Sequence, residues 1–130
     1  MRVLIVDDHA GFRAWARVLL ERAGYAVVGE AADGAGALRA ARGARPELVL
    51  VDVELPDTDG FALARRLCAE RWAPAVVLTS TRDAGDYGER LERSCALGFL
   101  AKDEVSAEAL GRLLGARAGP SASSGRAGRG

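Results

Sequence analysis

Short apolar runs rich in β-branched residues alternate with longer segments whose apolar residues recur every three or four positions. Arg2 to Val6 is the first run and ends at Asp7-Asp8. From Gly11 to Ala23, Phe12, Trp15, Ala16, Leu19, Leu20 and Ala23 mark one face of a helix closed by Gly24. Tyr25 to Gly29 reads as a strand and Gly34 to Arg42 as a weak helix. Leu48 to Val51, after Pro46, is a buried strand that meets Asp52. Asp59 suits the N-cap of a helix over Phe61 to Trp72, and Pro74 separates that helix from a strand at Ala75 to Thr79. Asp86 to Cys95 reads as a helix, Gly98 to Ala101 as a strand, and Ser106 to Ala116 as a last helix capped by Ser106. Strand and helix thus alternate five times. Each parallel connection needs a crossover that covers the sheet, so the pattern predicts an α/β fold, a parallel sheet with helices on both faces.

The 130 residues suffice for one such domain. Residues 1–116 are expected to form it. Residues 117–130, rich in Gly, Ser, Ala and Arg with no apolar period, are expected to be a disordered tail. Eighteen basic and 18 acidic residues give a formal net charge of zero, so no global field favours a nucleic-acid backbone. The apolar runs fall far below the ~20 residues that cross a bilayer, and the start meets two aspartates instead of a cleavage site. Cys68 and Cys95 are too few for a disulfide framework and are not spaced for zinc. They are expected to be small buried apolar residues in a reducing, cytoplasmic setting.

In open α/β sheets, sites lie outside the carboxyl ends of the strands. The residues there are Asp7 and Asp8 after the first strand, Asp52 after the third, Thr79 and Ser80 at the fourth, and Lys102 after the fifth. Clustered carboxylates repel one another, and a hard divalent cation with oxygen ligands, Mg²⁺, relieves this. With the charge offset, a phosphoryl group can approach one carboxylate while its oxygens meet the metal, an ammonium and a hydroxyl. Asp52 is the natural acceptor, forming an acyl phosphate that water later hydrolyses. Lys102 is the only lysine among 18 basic residues, so a compact ammonium is wanted where a planar guanidinium would serve less well.

The chain resembles the receiver domains of bacterial two-component response regulators over about Arg2 to Ala116. The resemblance rests on Leu4-Ile5-Val6-Asp7-Asp8-His9, on Val51-Asp52-Val53-Glu54-Leu55-Pro56-Asp57-Thr58-Asp59-Gly60, on Leu78-Thr79-Ser80 and on Gly98-Phe99-Leu100-Ala101-Lys102. It implies a flavodoxin-like (βα)5 three-layer sandwich with a five-stranded parallel sheet in the order 2-1-3-4-5. It also implies that Asp52 is the phosphoacceptor. Asp8 and Asp52 would be side-chain Mg²⁺ ligands, Glu54 would offer its carbonyl, and Asp7 would act through a metal-bound water. Ser80, by its distance from Lys102, takes the switch-hydroxyl position, and Phe99 that of the aromatic that moves inward. Lys102 would touch a phosphoryl oxygen. Asp103 stands where the family often has proline, Cys95 where small residues are usual, and Glu54 and Arg82 at two positions that tune phosphoryl lifetime.

The expected function is a stand-alone receiver, without enzymatic turnover beyond its own phosphorylation and dephosphorylation. A histidine kinase or phosphotransfer protein would supply the phosphoryl group. An unknown downstream protein would read the fourth helix, fifth strand and fifth helix, and the chain itself would be a monomer or a weak dimer through that face. Gly85 and Gly88, each costing roughly 1 kcal/mol relative to Ala, leave the fourth helix easy to shift. The competing readings are a receiver that binds partners without phosphorylation and a small Mg²⁺-dependent phosphatase, the latter lacking an insertion long enough for a substrate cap. Blander readings hold elsewhere: His9 as loop surface, Asp57 as a turn residue, Asp59 as a helix cap, and Gly34 to Arg39 as a loop that only imitates a dinucleotide fingerprint.

Overall fold

The computed structural model describes residues 1–123. Its elements are β1 Arg2–Val6, α1 Ala10–Arg22, β2 Ala26–Ala31, α2 Gly34–Ala44, β3 Leu48–Asp52, α3 Gly60–Cys68, β4 Ala75–Ser80, α4 Glu89–Arg93, β5 Gly98–Ala101 and α5 Ala107–Ser123. The strands form one five-stranded sheet in the order β2-β1-β3-β4-β5, and every pairing is parallel. Every residue of β3 and β4 is buried, as continuous apolar runs require, whereas β2 at the edge alternates in exposure.

Strand alternation sorts the core into two layers. Leu4, Val6, Val49, Val51, Val76 and Leu78 face α2 and α3, meeting Ala37, Leu38, Ala64 and Leu67. Val3, Ile5, Leu48, Leu50 and Val77 face α1 and α5, meeting Ala16, Leu20 and Leu110. Fully burying one such Leu or Val is worth about 1.5–3 kcal/mol, so this double packing fixes which residues stand at each strand's end. Trp15, expected on the buried face of α1, is instead 46% exposed and leans on Phe12 with ring centroids 5.7 Å apart.

Four other expectations are corrected. Of the two readings of this stretch, the weak helix over Gly34 to Arg42 holds as α2 and the loop over Gly34 to Arg39 does not, because Asp33 caps Gly36 N–H at 2.7 Å and Asp57 accepts Gly34 and Ala35 N–H. The fourth helix shrinks to Glu89–Arg93, preceded by a 3-10 turn at Ala84–Asp86, because Gly88 adopts φ +53° and breaks the helical path. The last helix, capped by Ser106 through Ala109 N–H at 3.0 Å, runs to Ser123, past the expected end at Ala116. The rest of the expected tail, residues 124–130, lies outside the described residues. Finally, Cys68 and Cys95 are not separate apolar residues: they form a disulfide with a Cα–Cα distance of 6.5 Å. Their separation of 27 residues gave no hint of it, because the pairing depends on where α3 ends and β5 begins.

Candidate functional site

The β1–β3–β4 register sets the site. Val6 lies opposite Val51 and Asp52 opposite Thr79, so the residues after β1 and at the end of β3 and β4 share one edge. Asp7 is fully buried and Asp52 is 3% exposed, whereas Asp8 faces solvent. Ligand atoms of Asp7, Asp8, His9 and Asp52 all lie within 4.8 Å of one another. Lys102, in a 3-10 turn just after β5, reaches in from the side. Its Nζ is 2.7 Å from Asp7 Oδ2 and 3.2 Å from Asp52 Oδ2, and it sits 4.9 Å from the centre of the Phe12 ring. The backbone N–H of Glu54 donates to Asp52 Oδ1 at 3.0 Å. Behind this loop, a side chain on Gly60 would lie 2.6 Å from the carbonyl oxygen of Asp52, so only glycine lets the chain pass there.

The charges do not balance. Burial pushes the Asp52 carboxyl above its ordinary value; the Glu54 N–H opposes this, Asp7 adds to it, and Lys102 offsets part. Burial also disfavours the Lys102 ammonium, but Asp7 and Asp52 together outweigh it and raise its pKa. One ammonium thus serves two buried carboxylates. Adding the exposed Asp8 leaves a site with surplus negative charge and carboxylate donors only, apart from the His9 ring. That donor set fits a hard divalent cation such as Mg²⁺.

The two hydroxyls differ in surroundings. Alternation puts Thr79 on the face of its register partner Asp52, and its buried Oγ1 has no hydrogen-bond partner among the described residues. Ser80, fully buried, lies on the opposite face. Its Oγ is 2.6 Å from the Tyr87 hydroxyl and accepts the Arg82 N–H at 3.0 Å. Tyr87 in turn packs between Phe61 and Phe99, with ring centroids at 5.5 and 5.8 Å. Sequence reading missed Tyr87; the only available signal was its being the sole aromatic between Ser80 and Phe99.

His9 was expected to be loop surface near the site. Its ring is 68% exposed, yet its Nδ1 is 3.1 Å from both Asp7 Oδ1 and Asp8 Oδ1, and its backbone N–H donates to Asp7 at 2.8 Å. Asp59 caps α3 through Ala62 N–H at 2.8 Å, and Asp57 is committed to α2. Neither joins the acidic cluster. Glu54 and Arg82, far apart in sequence, form an ion pair at 3.1 Å whose side chains are exposed.

Comparison with known proteins agrees with this geometry. The response regulator receiver domain family matches residues 3–113. The transcriptional regulatory protein PdtaR of Mycobacterium tuberculosis is 40% identical over 101 residues, covering 78% of this chain and 49% of that protein. A protein-glutamate methylesterase/protein-glutamine glutaminase of Anaeromyxobacter dehalogenans is 41% identical over 105 residues, covering 80% of this chain and 30% of that protein. The chain thus spans half or less of the length of these two relatives. The chemotaxis response regulator CheY4 of Vibrio cholerae superposes with a TM-score of 0.74 at 28% identity, covering 87% of this chain and 94% of that one. With its 2-1-3-4-5 flavodoxin-like sheet, this chain belongs to the response regulator receiver domain family.

Proposed function

We propose that the domain accepts a phosphoryl group on Asp52 from the phosphohistidine of a histidine kinase or phosphotransfer protein, in a Mg²⁺-dependent reaction, and signals through a changed protein surface. The single observation that carries this is the buried Asp7–Asp52–Lys102 cluster, in which one carboxylate is held by a backbone N–H and an ammonium while net negative charge remains. Asp8, Asp52 and the Glu54 carbonyl would hold Mg²⁺, with Asp7 acting on its water. When bound, Mg²⁺ supplies the positive charge that lets an anionic phosphoryl group approach carboxylates.

An Asp52 carboxylate oxygen attacks phosphorus, the bond from phosphorus to the donor imidazole breaks, and the imidazole takes a proton from solvent. Lys102 is positioned to receive charge on a phosphoryl oxygen. Water later cleaves the acyl phosphate, returning the carboxylate and inorganic phosphate. Ser80 is the switch hydroxyl: to reach a phosphoryl oxygen it exchanges Tyr87 for that oxygen, which frees Tyr87 and Phe99 to repack. Thr79, unpartnered on the Asp52 face, is a second candidate for this contact. The face formed by α4, β5 and α5 is the output surface. α4 contributes no buried residue, and a cleft of about 280 Å³ lined by Leu91, Ala96, Leu97 and Phe99 separates it from β5. The reading places the chain in the cytoplasm with its phosphohistidine donor; the Cys68–Cys95 disulfide removes the separate ground that unpaired cysteines would have given.

Incubation with Mg²⁺ and a small phosphodonor tests the reading. The intact mass should rise by one phosphate, with chelator or Asp52→Asn abolishing the gain. An unmodified mass under conditions that phosphorylate a control receiver would leave the phosphorylation-independent binding module as the better account.

A further inference from the structure

We propose that the Cys68–Cys95 disulfide is a reversible thiol–disulfide exchange site whose reductant is a small thiol carrying acidic groups. This goes beyond the phosphoryl chemistry and does not rest on it. Cys68 ends α3 and Cys95 lies between α4 and β5, so the bridge ties a packed helix to the segment that carries the smallest helix of the fold. Cys95 is exposed and Cys68 half-buried, so Cys95 is the more accessible half of the bridge for an attacking thiolate.

The surroundings select the attacking reagent. A cleft of about 280 Å³ beside Cys95 is lined by Arg65, Arg90 and Arg93, with Asp59 as its one carboxylate. Asp59 is engaged by Arg90 at 3.3 Å and Arg93 pairs with Glu89 at 3.4 Å, so three guanidiniums face two carboxylates and a single positive charge is left over. Excess guanidinium charge draws in an anionic thiol and favours its thiolate. A second cleft, of about 480 Å³, is lined by both cysteines together with Pro74 and Leu97, giving room for the displaced sulfur.

The backbone also suits the reduced state. Cys95 Sγ is 3.3 Å from the Ala64 carbonyl oxygen and Cys68 Sγ is 3.7 Å from that of Cys95. On reduction the sulfurs must separate, and each has a backbone carbonyl oxygen near enough to accept its S–H. The exchange balances. A reductant thiolate attacks Cys95 Sγ, the S–S bond breaks, and Cys68 leaves as a thiolate that takes a proton. A second reductant thiolate attacks the reductant sulfur of the mixed disulfide and releases Cys95, which takes the second proton. Two thiols become one small disulfide, and two electrons pass to the protein. Its consequence is release of the covalent tether on residues 84–97, the segment that holds Tyr87.

The oxidised 130-residue chain is treated with 2-mercaptoethanesulfonate or cysteamine at equal thiolate concentration, quenched with N-ethylmaleimide and mapped by mass. Each rate is divided by that of the same reagent on a neutral small disulfide. The expected result is a mixed disulfide at Cys95, then labelling of both cysteines, at least threefold faster with the anionic thiol. That preference should shrink with salt and vanish in the Arg65→Ala/Arg93→Ala variant, which is still reduced. Hydrogen exchange across residues 84–97 should rise several-fold in the reduced chain. Reduction only after denaturation, free thiols that never pair under oxidant, equal normalised rates, or unchanged exchange would each overturn the proposal.

Discussion

Asp52 is buried beside Asp7, and its raised pKa means that the folded protein resists ionising the residue it needs ionised. The sign of the stability effect follows. Below the ordinary aspartate value of 3.8 the group is protonated in both folded and unfolded chains and contributes nothing. As pH climbs past that value the unfolded chain loses the proton first, so stability falls until the folded group ionises as well. Asp52→Asn should therefore be more stable than the metal-free wild type at neutral pH, with the gap closing below about pH 3.8; urea unfolding at several pH values measures it. A gap independent of pH would assign the difference to packing. At Ser80 the contest is between two hydroxyl partners. A neutral hydrogen bond contributes about 0.5–1.5 kcal/mol net, equivalent to a roughly two- to tenfold shift in population. Tyr87→Phe removes the competitor and should raise phosphorylated protein at steady state by about that factor, read by Phos-tag gel or intact mass. If Ser80 is the switch, Ser80→Ala should cancel the gain of Tyr87→Phe while Thr79→Val leaves it intact.

At the scale of elements, the sequence pattern identified the strands well because an apolar run that must be buried on both faces has few alternatives. β1, β3 and β5 match the expected runs within a residue, and β4 runs on to Ser80. The fourth helix was poorly legible: Leu91 is its only large apolar residue, and its start depends on the backbone angle at Gly88, which no period reports. The disulfide was hidden for the same reason, since it records the spatial meeting of two element ends. The β3–α3 connection gives a sharper test of how elements position the site. Gly60 N–H donates to the Val53 carbonyl at 2.7 Å, and a methyl group there would press on the Asp52 carbonyl. Because the obstacle is backbone, relief means moving Asp52. Gly60→Ala should lower stability by about 1–3 kcal/mol in urea and slow phosphorylation at Asp52 more than the stability loss explains. An unaltered rate in the folded variant would show that this close approach does not hold Asp52 in place.

Across the whole molecule, the alternation that predicts a parallel sheet also predicts where its chemistry lies, because every strand delivers its last residue to the same edge. Asp7, Asp52 and Lys102 were legible in sequence on that ground, and they converge within hydrogen-bonding range. What sequence could not supply was which side of the sheet each hydroxyl would take. Thr79 and Ser80 differ by one position and therefore by one face, and the neighbour that occupies Ser80 comes from a connection of irregular backbone. The most direct trial of the central claim is to phosphorylate the protein with a small phosphodonor and Mg²⁺, reduce the product with borohydride, and sequence its peptides by mass spectrometry. An acyl phosphate on Asp52 would be converted to homoserine at that position alone. Conversion at another carboxylate, or none in a chain that has gained phosphate, would contradict the account.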